Sequence, residues 1–166
     1  MHAEAYNAVA ERLKGIAPPR SVVEFGSKNV NGSVRPLFSS AVTYVGIDCA
    51  PGPDVDIVMD AALFEPVLRP ACVVCCEVLE HAENAQDIVT NAVDILEQTG
   101  IVIITCASTC RAPHSAVDGG ALREGEFYRN VEPDMLRLWL EMAGAVRVEV
   151  EHNAECGDAY AVGFKP

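Results

Sequence analysis

Ala71-Cys-Val-Val-Cys-Cys76-Glu77-Val78-Leu79-Glu80-His81 decides the architecture. Residues 71 to 76 are continuously apolar, as expected of a strand covered on both faces, and the run breaks into an acidic turn. Downstream, Ile88, Val89, Ala92, Val93, Ile95 and Leu96 fall on one face of a helix expected between Glu83 and Gln98, and Gly100 stands where a C-terminal glycine belongs. Ile101 to Cys106 then reads as the next strand. Strand, helix and strand in immediate succession are the unit of a parallel sheet.

Upstream, Ala5, Tyr6, Val9, Ala10 and Leu13 recur at helical spacing, and Gly15 and Pro18-Pro19 stop that helix. Ser21 to Phe25 predicts a first strand, followed by a polar loop over residues 27–33. Val34 to Phe38 suits a short helix with Ser33 as its N-cap. Further strands are expected at Thr43 to Ile47 and at Val55 to Asp60, after the Pro51-Gly52-Pro53 turn. Residues 107–131 form a long polar connection, read either as a functional loop or as a loop enclosing a small hairpin. A helix over Pro133 to Met142, with Trp139, Leu136, Leu140 and Met142 as core, precedes strands at Val146 to Glu151 and Ala159 to Phe164. The series predicts a single α/β domain over 1–166: a three-layer α/β/α sandwich around a Rossmann-like, mostly parallel seven-stranded sheet, with an antiparallel strand near the C-terminus.

Length and composition agree. The 166 residues are 50% apolar and 22% charged, enough for one full core. Twelve Lys and Arg against 24 Asp and Glu give a net charge of −12, which argues against nucleic acid and against an anionic membrane surface. No apolar run approaches the roughly 20 residues that span a bilayer, and no signal-peptide pattern opens the chain, so a soluble cytoplasmic protein is expected. Seven cysteines, an odd number concentrated in strand-like segments, fit a reducing compartment. Cys72, Cys75, Cys76, Cys106 and Cys110 raise zinc, but alternation along a strand points Cys72 and Cys75 to opposite faces, so they are read as small core residues and no metal is assigned.

Ligands of an open parallel sheet bind beyond the carboxyl ends of its strands. Gly26 ends the first strand, and Asp48 ends the second about 20 residues later, the spacing of a ribose-binding carboxylate. A dinucleotide-binding G-x-G-x-x-G is absent, since Lys28 occupies its second glycine position.

Five segments together carry a family resemblance: Val22-Val-Glu-Phe-Gly26, Tyr44-Val-Gly-Ile-Asp48, Asp60-Ala61, Glu77-Val-Leu-Glu-His81, and residues 98–105. In these the chain resembles the class I S-adenosylmethionine-dependent methyltransferases, particularly the small type 11 group, closely over about residues 20–110. The resemblance implies S-adenosylmethionine as cofactor and S-adenosylhomocysteine as product. It places Glu24, Gly26 and Ser27, with the lengthened loop at Asn31 and Gly32, against the methionine part. Asp48 would then hold the ribose and Cys49 would pack on the adenine, while Asp60 and Ala61 address the adenine edge and Cys76 and Glu77 line the sulfonium region.

That cofactor is a sulfonium cation without phosphate, so an acidic site suits it. In-line methyl transfer needs alignment above all, and a base only where the acceptor loses a proton. His81 and His114 are the candidates for that base; otherwise His81 is a polar group at a helix start and His114 a solvated loop residue. Arg111, Tyr128 and Arg129, in the long connection, form either an acceptor lid on a small molecule or an ordinary excursion capped by their own contacts. Glu77 and Glu80 as a glycosidase pair are set aside, because they stand at helical spacing within the family-like segment. The expected function is methyl transfer to a small-molecule acceptor. The rivals are a catalytically silent module of the same fold that binds cofactor or a protein partner, and an NAD-dependent or nucleotide-sugar enzyme on a related sheet.

Overall fold

The computed structural model describes residues 2–166. Seven strands form one sheet: β1 (Ser21–Phe25), β2 (Thr43–Asp48), β3 (Ile57–Val58), β4 (Cys72–Cys76), β5 (Ile101–Ala107), β6 (Val146–Asn153) and β7 (Asp158–Phe164), in the spatial order β3-β2-β1-β4-β5-β7-β6. The first five run parallel, while β7 pairs antiparallel with both β5 and β6. The expected Rossmann-like sheet with an antiparallel strand near the C-terminus is therefore present, with β7 inserted between β5 and β6.

Strand alternation sorts the side chains into two cores. Val73 and Cys75 of β4 face α2 (Ala85–Asp94) and α3 (Pro133–Met142), together with Val89, Val93, Leu136 and Trp139. Cys72, Val74 and Cys76 face the other side, with Val9 of α1 (Ala3–Leu13) and with Phe38. The cysteines of β4 thus divide between the two faces as period-two alternation requires. Central strands β4 and β5 are buried throughout, the signature of cover on both faces.

Several local expectations change. The third strand contracts to Ile57–Val58, because Asp60 accepts a hydrogen bond from the Ala62 amide and caps a 3₁₀ turn at Ala61–Leu63. The segment after β1 yields only a 3₁₀ turn, Arg35–Phe38; Ser33 Oγ accepts from the Arg35 amide, but Val34 takes the cap position. The helix expected from Glu83 to Gln98 spans Ala85–Asp94. Met142 is 66% exposed, so it leaves the core that Leu136, Trp139 and Leu140 enter. Residues 108–132 contain no strand among the described residues, which removes the hairpin alternative. No helix among the described residues is long and apolar enough to cross a membrane.

Candidate functional site

Strand order reverses between β1 and β4, and a cavity of about 1230 Å³ opens at the carboxyl ends of the strands around that point. Gly26 sits at its base with φ +77°, and a Cβ there would come within 2.1 Å of Val78 Cγ2. Only glycine lets β1 turn this closely over the segment following β4.

The loop after β1 is anchored by its own amides. Gly26 and Ser27 donate to the Ile47 carbonyl at 2.8 and 3.0 Å, and Asn29 donates to the Pro53 carbonyl at 3.0 Å. Lys28 donates its amide to Asp48 Oδ2 at 3.1 Å, while Gly32 donates to Asn29 Oδ1 at 3.0 Å. These five N–H groups are spent inside the protein and are not offered to a phosphate. The Lys28 stem instead lies against Gly52.

Asp48 is held by two backbone donors, Lys28 to Oδ2 and Ala50 to Oδ1 at 2.9 Å. Oδ1 also accepts from the Cys49 thiol at 3.7 Å, and Oδ2 keeps a lone pair for a ligand hydroxyl. Glu24 is buried, and its Oε2 accepts from the Tyr44 hydroxyl at 2.8 Å. Burial raises its pKa to about 7, against the opposing hydrogen bond from Tyr44. Glu77 adopts φ +57°, in the left-handed region. Its Oε1 accepts from Thr105 Oγ1 at 2.9 Å, and its Oε2 lies 3.2 Å from His2 Nε2. Asp60 Oδ2 accepts from Asn84 Nδ2 at 2.9 Å.

Every residue that the resemblance assigned to a cofactor lines this cavity: Glu24, Gly26, Ser27, Asn31, Gly32, Asp48, Cys49, Asp60, Ala61, Cys76 and Glu77. His81, His114 and Arg111 line it too. Tyr128 and Arg129 are not in its wall. The Tyr128 ring packs 5.4 Å from His81 and 5.0 Å from His114, whereas exposed Arg129 stacks its guanidinium over Phe127, and its amide donates to the Glu80 carbonyl. The two histidine rings stand 5.0 Å apart and nearly perpendicular. Burial pushes the His81 pKa down, and His114 adds to the shift, so its imidazole is neutral at neutral pH. Asn31 donates to the Asp118 carbonyl at 3.2 Å and so ties the loop after β1 to the long segment over residues 108–132.

His2 had no sequence signal. It reaches the cavity from before α1, with Nε2 3.0 Å from Asp158 Oδ2 and Nδ1 3.0 Å from Glu4 Oε2. Hydrogen bonds to Asp158 and Glu77 raise its pKa to about 10. Burial works to raise the Asp158 carboxyl, but His2, Cys156 and Arg111 together hold it below its ordinary range. A histidine that pairs with residues 75 and more positions away has no local pattern to reveal it. Glu80 was readable only as half of a carboxylate pair; it is fully buried beneath the histidines.

No protein-family model matches the chain, and no curated protein matches it in sequence. Solved structures do match. The N-methyltransferase NodS from Bradyrhizobium japonicum, in complex with S-adenosylhomocysteine, is 16% identical at a TM-score of 0.68, over 98% of this chain and 86% of that one. The 1,6-didemethyltoxoflavin-N1-methyltransferase from Burkholderia thailandensis, with its namesake ligand and S-adenosylhomocysteine bound, is 13% identical at 0.68, over 97% and 78%. Magnesium protoporphyrin IX methyltransferase from Synechocystis, also with S-adenosylhomocysteine, is 14% identical at 0.65, over 98% and 83%. At these identities the likeness is one of fold: the chain has the fold of the class I S-adenosylmethionine-dependent methyltransferases.

Proposed function

We propose that the protein transfers a methyl group from S-adenosylmethionine to a small-molecule acceptor. One observation carries the reading: an acidic cavity at the sheet's switch point, with Asp48 at the tip of β2 and a neighbouring loop whose first four amides, Gly26 to Asn29, are already spent. A pyrophosphate would meet the acids Glu24, Asp48, Asp60 and Glu77 there, whereas a sulfonium and an ammonium would find Glu24 and Glu77 as partners of opposite sign. The similar solved structures, each holding S-adenosylhomocysteine, support the same ligand.

In this reading Asp48 receives the ribose hydroxyls, Asp60, Ala61 and Cys49 border the adenine, and Glu24, Gly26, Ser27, Asn31 and Gly32 enclose the methionine part. Cys76 and Glu77 flank the sulfur. When bound, the cofactor supplies an electrophilic methyl group, and the chain's work is to hold the acceptor in line with it. His81 and His114 line the same cavity and face the acceptor, and the His81 imidazole, held neutral by burial, is available to a departing proton. Arg111 closes that end by donating to the Cys156 carbonyl at 3.0 Å, and Tyr128 supports the histidines from behind.

Turnover tests the reading. A panel of small hydroxyl, amine and carbon acids is offered with S-adenosylmethionine, and release of S-adenosylhomocysteine is followed. Acceptor-dependent release that Asp48→Ala sharply reduces at limiting cofactor is the expected result. Tight cofactor binding with no release for any acceptor would favour a silent binding module instead.

A further inference from the structure

Behind the histidines lies a group that the adenosyl site does not use. Glu80 belongs to the 3₁₀ turn Leu79–His81 after β4; it is 0% exposed, and neither carboxylate oxygen has a hydrogen-bond partner among the described residues. His81 Nδ1 is likewise buried and without a partner among them. Buried polar atoms left this way carry a desolvation cost, so three of them side by side point to a missing partner.

The third member is His114. Its Nδ1 lies 3.1 Å from the Ala112 carbonyl, a contact that requires the proton on Nδ1 and leaves Nε2 as a lone-pair donor. An imidazole whose far nitrogen is fixed on a carbonyl is oriented as metal-binding histidines are. One donor atom from each of Glu80, His81 and His114 lies within 4.8 Å of the other two. Edge-on packing among His81, His114 and Tyr128 keeps both rings in place.

We propose that Glu80, His81 and His114 bind one divalent transition-metal ion at the acceptor end of the cavity. Two imidazoles and one carboxylate suit a borderline ion of the zinc, cobalt(II) or iron(II) kind, and they are too few oxygens for calcium or magnesium. Three protein ligands leave coordination positions open. Because both histidines line the cavity, those positions face the space where an oxygen or nitrogen donor of the acceptor completes the sphere. That use of the ion rests on the methyl-transfer reading, with the ion rather than a proton taking the imidazole lone pairs; the metal site itself does not rest on it.

The test uses the full chain freed of metal by dialysis against a chelator. Zinc is titrated calorimetrically, and cobalt(II) by absorbance. The expected result is one ion per chain, with visible cobalt bands and no thiolate charge-transfer band, and at least about tenfold weaker binding in both His114→Ala and Glu80→Gln. A thermal melt checks that both variants keep the fold. Absence of saturable binding, a thiolate band, or affinity unchanged in either variant would overturn the proposal. S-adenosylhomocysteine titrated into the same metal-free protein reads the adenosyl site separately, so failure of the metal site and failure of the cofactor reading appear in different arms.

Discussion

Asp48 and Glu24 do different work although both are acids at strand ends. Asp48 is held by two amides and lines the cavity. Hydrogen bonds to a charged group are worth about 1.5–3 kcal/mol, so Asp48→Ala should weaken S-adenosylhomocysteine about ten- to a hundredfold in equilibrium binding. Glu24 has its folded pKa raised from 4.5 to about 7. Folding therefore favours its protonated form, and its contribution to stability is full below 4.5 and lost as pH rises through about 7. A cationic ligand favours the ionised form. Cofactor affinity should then rise with pH through about 7, while Glu24→Gln should flatten that part of the profile; a profile unchanged in the variant would remove Glu24 from the cofactor site. The strand-end acids were legible because carboxylates at strand tips follow from periodicity and spacing. His2 and the buried state of Glu80 were not, since both depend on partners brought together only by the tertiary fold.

Among the elements, the long parallel strands were readable from continuous apolar runs, and their alternation predicts chemistry as well as packing. Cys72, Cys75, Cys76 and Cys106 are buried, and burial raises their thiol pKa values, whereas Cys49 and Cys110 are exposed. A thiol reagent should modify Cys49 and Cys110 in the native protein and the four strand cysteines only after unfolding, with S-adenosylhomocysteine slowing Cys49 beside Asp48. Mass-spectrometric mapping of the labelled sites checks this. The turn after β1 is equally constrained. Gly26→Ala forces a side chain into the left-handed region and onto Val78, a strain of about 1–3 kcal/mol that should show as a lower thermal midpoint and weaker cofactor binding together. Short elements were the ones misread. Where one side-chain cap decides between strand and 3₁₀ turn, as at Asp60, two or three residues of propensity settle nothing.

At the scale of the whole molecule, the excess of acidic residues and the acidic cavity act in the same direction. A net charge of −12 repels polyanions, and the lining at the switch point carries Glu24, Asp48, Asp60 and Glu77 to greet a cation. The class of sheet was legible because each strand, helix and glycine stop agreed with its neighbours; the insertion of β7 between β5 and β6 was not, because order within a sheet is set by long-range pairing. The central claim is that this fold retains an adenosyl site and has no phosphate site. Calorimetric titration with S-adenosylhomocysteine, with NAD as the control ligand, tests it most directly. The account predicts saturable binding at one site per chain for the first and none for the second; binding of NAD, or of neither ligand, would contradict it.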